Sequence, residues 1–170
     1  MTEETKGVHK PIEKLLRKFG EASITVEERS GIASIIADKA KITDILLFLK
    51  NDPDCVFDML TDLFGVDNYK EKPRFEVIYF LNSLKNKTRL AVKVGLAEGE
   101  SIPTVSTIWK AAEWFEREIY DMFGIQFTGH PDMRRILLDD DFEGHPLRKD
   151  FPVEGPDIDK PFIVELGEEK

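Results

Sequence analysis

The sequence predicts an α+β fold: a small, mainly antiparallel sheet with packed helices, followed by an extended, irregular C-terminal tail. Three observations carry this reading. Phe75, Val77, Tyr79 and Leu81, then Leu90, Val92, Val94 and Leu96, alternate along two neighbouring runs, the period of half-buried strands. Ile108, Ala111, Ala112, Phe115, Ile119, Met122 and Phe123 recur at steps of three and four, the period of a helix. Beyond Gly124 the prolines 131, 146, 152, 156 and 161 punctuate a stretch with no period. Residues 1–124 therefore read as an α+β domain, and residues 125–170 as an extended tail that docks on a partner subunit.

The elements follow in order. Pro11 to Phe19 reads as a short helix, because Ile12, Leu15, Leu16 and Phe19 share one face and Gly20 ends it. Ser23–Glu28 and Ile32–Ala37 read as a hairpin about Arg29-Ser30-Gly31. A second helix is expected over Ile42–Lys50, capped by Thr43 or Asp44 and stopped by Pro53. Val56–Val66 fits strand or helix, and the alternation Leu60/Asp62/Phe64 favours strand. Arg74–Leu81 and Thr88–Leu96 form a second hairpin across the polar turn Leu84–Lys87. Glu98-Gly99-Glu100 opens a loop ending at Pro103. The strongest helix is expected over Ser106–Phe123, with Glu113 and Arg117 paired four apart and Gly124 just past its end. The tail keeps Phe127, Ile136, Leu138, Phe142 and Phe151 among its apolar residues, too many for a solvated segment, so it must lie against its own domain or a partner.

Composition narrows the function. A net charge of −9 disfavours nucleic acid, whose phosphates call for clustered Lys and Arg, and suits a basic partner surface. One cysteine, Cys55, cannot make an internal disulfide or supply the four thiolates an iron–sulfur cluster usually takes, and it reads as a buried apolar residue. The N-terminus lacks a signal-peptide pattern, and the longest apolar run, Ile45–Leu49, falls far short of the ~18 residues of a membrane span. Membrane association is then expected only through another protein.

No glycine-rich phosphate loop occurs, and the Gly95–Gly99 segment opens no helix. His130 with Asp132, and His145 with Asp139–Asp141, contain metal-ligand types, but Arg134, Arg135, Arg148 and Lys149 beside them oppose a cation. Each imidazole is expected to bond a carbonyl or carboxylate and fix a turn. Glu116 and Glu118 stand two apart on a helix and do not face each other, which argues against paired acid–base work. No nucleophile elbow is present. The expected catalytic, cofactor-binding and metal sets are therefore empty. What remains is a structural or interface set: Glu116, Arg117, Glu118, Asp121, His130, Arg134, Arg135, His145 and Arg148. At least one carboxylate–guanidinium pair should join the helix end to the Arg134-Arg135 turn.

Glu116-Arg117-Glu118, Asp121, Met122-Phe123, His130, Arg134 and Ile136-Leu137-Leu138 together resemble the signature of the 30 kDa subunit family of the respiratory NADH–quinone oxidoreductase, complex I. Asp140-Asp141-Phe142-Glu143-Gly144-His145-Pro146-Leu147-Arg148-Lys149-Asp150-Phe151-Pro152 continues the likeness, which covers about Trp114 to Pro152. The resemblance implies a peripheral-arm subunit, on the cytoplasmic side of the inner membrane or the matrix side in mitochondria. It implies contact with other peripheral-arm subunits of complex I, chiefly the larger one that forms much of the quinone cavity. It places FMN and the iron–sulfur clusters in other subunits and none in this chain. With 170 residues the chain is expected to be the separate form, not the form fused to that larger neighbour. Two other readings stand beside it. One is the equivalent subunit of a membrane-bound hydrogenase or other complex I-like oxidoreductase; the other is a free-standing enzyme using His130 or His145.

Overall fold

A computed structural model describes residues 9–29 and 32–153. Helix α1 (His9–Phe19) buries Pro11, Ile12 and Leu15 and ends where the Gly20 N–H bonds the Leu16 carbonyl. Strands β1 (Ile24–Arg29) and β2 (Ile32–Ala37) pair antiparallel, while the expected turn residues Ser30 and Gly31 lie outside the described residues. A 3-10 turn at Lys39–Lys41 then runs into α2 (Ile42–Asn51). The cap expected from Thr43 or Asp44 lies earlier: Asp38 accepts from the Ala40 N–H, so the side-chain cap belongs to the 3-10 turn. The end of α2 follows the sequence, since Asp52, the residue before Pro53, is held extended.

Of residues 56–66, those from Met59 onward form a strand. Val56 takes φ 45°, so the chain turns at 52–57 and β3 begins only at Met59, running to Asp67. Strands β4 (Phe75–Ser83) and β5 (Thr88–Leu96) form the long hairpin, Ser83 facing Thr88 and Phe75 facing Leu96. The five strands lie in the order β1-β2-β5-β4-β3, antiparallel except for β2 against β5. One parallel contact arises because α2, β3 and β4 intervene before the chain returns beside β2. Leu63, Val77, Tyr79, Leu90 and Val92 face a single core that also takes Leu15 of α1 and Ile45, Leu46 and Leu49 of α2. Cys55 is fully buried there, and burial pushes its thiol up to about 12.

The principal helix, α3, spans Ala112–Phe123 and not Ser106–Phe123. The apolar period extends further than the helix does because tertiary bonds hold residues 104–111 in separate turns. Ile108 and Trp109 both donate to the Val105 carbonyl, and Ala112 donates to the Trp109 carbonyl. Trp109 Nε1 reaches the Asp58 carbonyl, and Lys50 Nζ reaches the Ile108 carbonyl. Gly65 of β3 lets α3 approach closely: a Cβ there would lie 2.9 Å from Phe123 Cδ2 and 3.3 Å from Ile119 Cγ2.

Two short strands were not expected. In place of a plain loop to Pro103, β6 (Ser101–Pro103) pairs in parallel with β7 (Gln126–Thr128). The pairing brings the chain just after α3 beside the chain just before it, and Ile102, Ile125 and Phe127 enter the core. Residues 129–153 then contain no helix or strand.

Candidate functional site

The signature residues converge where α3 ends. The last carbonyls of a helix lack partners within it. Here each of the last four finds a donor: Gly124 N bonds Tyr120 O, His145 Nδ1 bonds Asp121 O, Leu147 N bonds Met122 O and Arg148 Nε bonds Phe123 O. Three of those donors come from residues 145–148 of the tail. The tail is thereby the cap of the helix.

Gly124 makes the cap possible. It takes φ 77°, the left-handed conformation that glycine reaches without a Cβ clash. A Cβ there would lie 2.6 Å from His145 Nε2 and 3.1 Å from Arg148 Nη2. Left-handed backbone costs a residue with a side chain about 1–2 kcal/mol. Gly124→Ala is expected to lower the unfolding free energy measured in urea by at least that cost and to speed proteolysis within 143–150. Unchanged cleavage in that segment would refute the capping role.

Asp121 anchors the turn that follows. Its carboxylate is fully buried. Oδ2 accepts from the N–H groups of Ile136 (3.1 Å), Leu137 (2.8 Å) and Leu138 (3.0 Å), and Oδ1 accepts from Arg135 Nη1 (2.7 Å). Burial pulls its pKa upward, but the Leu138 N–H, the Arg135 guanidinium and the other two N–H groups outweigh it and hold the carboxyl below its ordinary value. Arg135 Nη2 also donates to the carbonyls of Phe142 and Gly144, so one guanidinium ties helix, turn and tail together. Asp121–Arg135 is the carboxylate–guanidinium pair joining helix to turn.

The other signature residues divide. Arg117 donates to the carbonyls of Arg134 (3.0 Å) and Arg135 (2.8 Å) and lies over the Trp114 ring. The expected Glu113–Arg117 pair gives way to these bonds, which turn the guanidinium toward the 134–135 backbone. His130 is held on both sides, Nε2 donating to the Glu113 carbonyl and Nδ1 accepting from the Asp132 N–H. Glu118 is exposed, and Arg134 is exposed and paired with Asp132. Residues 116 and 118 thus have opposite surroundings, as their helical spacing requires.

Glu116 is fully buried and accepts from Thr104 Oγ1 and from Val105 N at 2.7 Å. Burial raises its pKa, and those two bonds only partly offset the rise. A carboxyl whose folded pKa exceeds its unfolded value binds its proton more tightly when folded. Its contribution is then most favourable at low pH and declines as pH rises through the folded pKa. Gln at 116 can accept from Val105 and donate to Thr104 without carrying charge. Glu116→Gln is expected to keep or raise the urea midpoint at pH 8, with a smaller change at pH 4. A loss above about 1 kcal/mol at pH 8 would contradict this sign.

A second fastening went unread in the sequence. The buried Asp67 of β3 accepts from Arg74 Nε (3.0 Å) and Nη2 (2.9 Å), from Tyr69 N (2.8 Å) and from Lys149 N (2.9 Å). Arg74 also pairs with Glu98 and Asp150, and Arg148 pairs with Glu98. Both guanidinium groups lie against the Phe75 ring, at 4.8 and 5.3 Å. The Arg74 bonds bring the Asp67 pKa down to about 2 against the pull of burial. The only sequence cue was the Arg148-Lys149-Asp150 run; its partners lie 50 to 82 residues away.

The geometry agrees with three comparisons. The family model for the respiratory-chain NADH dehydrogenase, 30 Kd subunit, matches residues 35–157. A NADH-quinone oxidoreductase subunit of Rhizobium meliloti (strain 1021) is 46% identical over 141 residues, covering 83% of this chain and 78% of the relative. A NADH-quinone oxidoreductase subunit of Geobacter sulfurreducens is 46% identical over 146 residues, covering 85% and 89%. A chain in the structure of the membrane-bound sulfane sulfur reductase, an archaeal respiratory membrane complex, superposes with TM-score 0.74 at 26% identity over 95% of each chain. A matched signature, most of whose charged residues bond within one frame, and a fold shared with a chain of a respiratory membrane complex place the chain among the subunits of complex I-like assemblies: it belongs to the family of the 30 Kd subunit of respiratory-chain NADH dehydrogenase.

Proposed function

We propose that the chain is a peripheral-arm subunit of a proton-translocating NADH–quinone oxidoreductase, docking chiefly on the larger subunit that forms the quinone cavity and holding no redox centre of its own. The observation that carries this reading is the use to which the signature is put. Asp121, Arg135, His130, His145 and Arg148 bond the backbone of the chain itself, and Glu116 is held by Thr104 and Val105. Groups engaged in holding a helix end and a tail do not turn toward a substrate. Flavin and iron–sulfur clusters are assigned to other subunits. Among the described residues no helix is long and apolar enough to cross a membrane, which supports attachment through the complex. The cytoplasmic or matrix side follows from the same reading.

Membranes from a strain lacking the chain are expected to lose NADH-driven quinone reduction and to regain it on complementation. The tagged chain should be recovered in mild detergent with the quinone-cavity subunit. Flavin or iron bound to the purified chain in stoichiometric amount would refute the non-redox part. The likeness to the sulfane sulfur reductase chain supports a second reading, the equivalent subunit of a related oxidoreductase. Identification of the co-purified electron-input subunits separates the two.

A further inference from the structure

We propose that Leu137 and Leu147, beside the acidic run 139–143, form the face that docks on a basic surface of the neighbouring subunit. The inference rests on the subunit reading above and names the face and its chemistry.

Leu137 and Leu147 keep 63% and 52% of their surface exposed, although each sits on immobilised backbone. The Leu137 N–H is held by the Asp121 carboxylate and the Leu147 N–H by the Met122 carbonyl. The two leucines are thus pinned to adjacent residues of α3. Trp114 stands seven residues before Asp121, on the same helix face and ~10 Å along its axis, and keeps 62% of its surface exposed. Presenting large apolar side chains on fixed backbone lowers the ordering cost of association. Trp is among the residue types that carry most binding energy at interface centres.

Charge chooses the partner. Asp139, Asp140, Asp141 and Glu143 are all exposed. Between 134 and 149 the Lys and Arg residues are Arg134, Arg135, Arg148 and Lys149, and the three arginines are paired with Asp132, Asp121 and Glu98. The rim therefore carries four exposed acids against the exposed Lys149. Such a rim repels anionic lipid headgroups and nucleic acid, and is complementary to a Lys/Arg-bearing protein surface.

The test uses the detergent-solubilised complex, with retention of the chain measured at rising salt. Leu137→Ser with Leu147→Ser is expected to raise the released fraction about tenfold. Asp139→Lys with Asp140→Lys and Asp141→Lys should bring release to lower salt. Leu84→Ser, at an equally exposed position in the β4–β5 turn, should stay bound as wild type does. Equal protease resistance of the free chains separates lost docking from lost folding. A photo-cross-linker at position 137 should join a Lys/Arg-rich segment of a partner. Wild-type retention of both variants, or a cross-link to lipid or to an acidic segment, would overturn the inference while leaving the subunit reading standing. Failure of the wild-type chain to co-purify with any such complex would overturn both.

Discussion

Asp121→Ala is expected to cost about 3–5 kcal/mol, the range for removing one member of a buried ion pair. The substitution strips the carboxylate from Arg135, which is 14% exposed and keeps only carbonyl acceptors, and leaves three consecutive backbone N–H groups without their acceptor. Domains of ordinary size are stable by only ~5–15 kcal/mol, so the variant stands near the edge of folding. Equilibrium urea unfolding of wild type and variant measures the loss. The pH dependence gives a second reading. The folded pKa of Asp121 lies below its unfolded value. Its stabilisation is therefore present above the ordinary carboxyl range and is lost as pH falls through the folded pKa. Asp121→Ala should flatten the acid limb of the stability profile. A cost below about 1 kcal/mol would mean that the turn at 134–138 is held by something else.

Arg74→Ala is expected to rank beside it, again at about 3–5 kcal/mol, because it leaves the fully buried Asp67 without its guanidinium. It also removes the pairing of Asp150 in the tail with the residue just before β4. The Asp67 pKa of about 2 against an ordinary 3.8 corresponds to about 2 kcal/mol at neutral pH. That share is present above about pH 4 and disappears as pH falls toward 2. Urea midpoints at pH 7 and pH 3 test the sign: the gap between variant and wild type should narrow at pH 3. Because Lys149 N also bonds Asp67, proteolysis near 149 should accelerate in step with the loss of stability. Stable variant protein with an intact tail would show that the Tyr69 and Lys149 N–H groups alone hold Asp67.

Much of the fold was legible in the sequence, for identifiable reasons. The β4–β5 hairpin could be read because nine-residue strands with one buried face alternate with period two. The end of α3 could be read because Gly124 occupies the left-handed position that closes a helix. Its start could not. Residues 106–111 continue the apolar period, yet Lys50 and Asp58, far away in the chain, capture their backbone and the Trp109 ring. The β6–β7 pair is equally opaque, since three-residue strands are too short to show a period.

The candidate site follows the same division. By itself the sequence determined the fold class, the helix that carries the signature, the spacing that turns residues 116 and 118 to different sides, and the family the signature marks. It also singled out the charged residues at the helix end as the ones to follow. Only the tertiary structure decided which of those charges are buried. Glu116 and Asp121 lie inside while Glu118 and Arg134 lie in water. The physical reason is that a buried charge depends on donors from elsewhere in the chain. Asp121 draws its donors from residues 135–138, Glu116 from 104–105, and Asp67 from 69, 74 and 149. Periodicity reports which face of an element is apolar. It carries no record of the distant N–H or guanidinium that offsets the cost of burying a carboxylate.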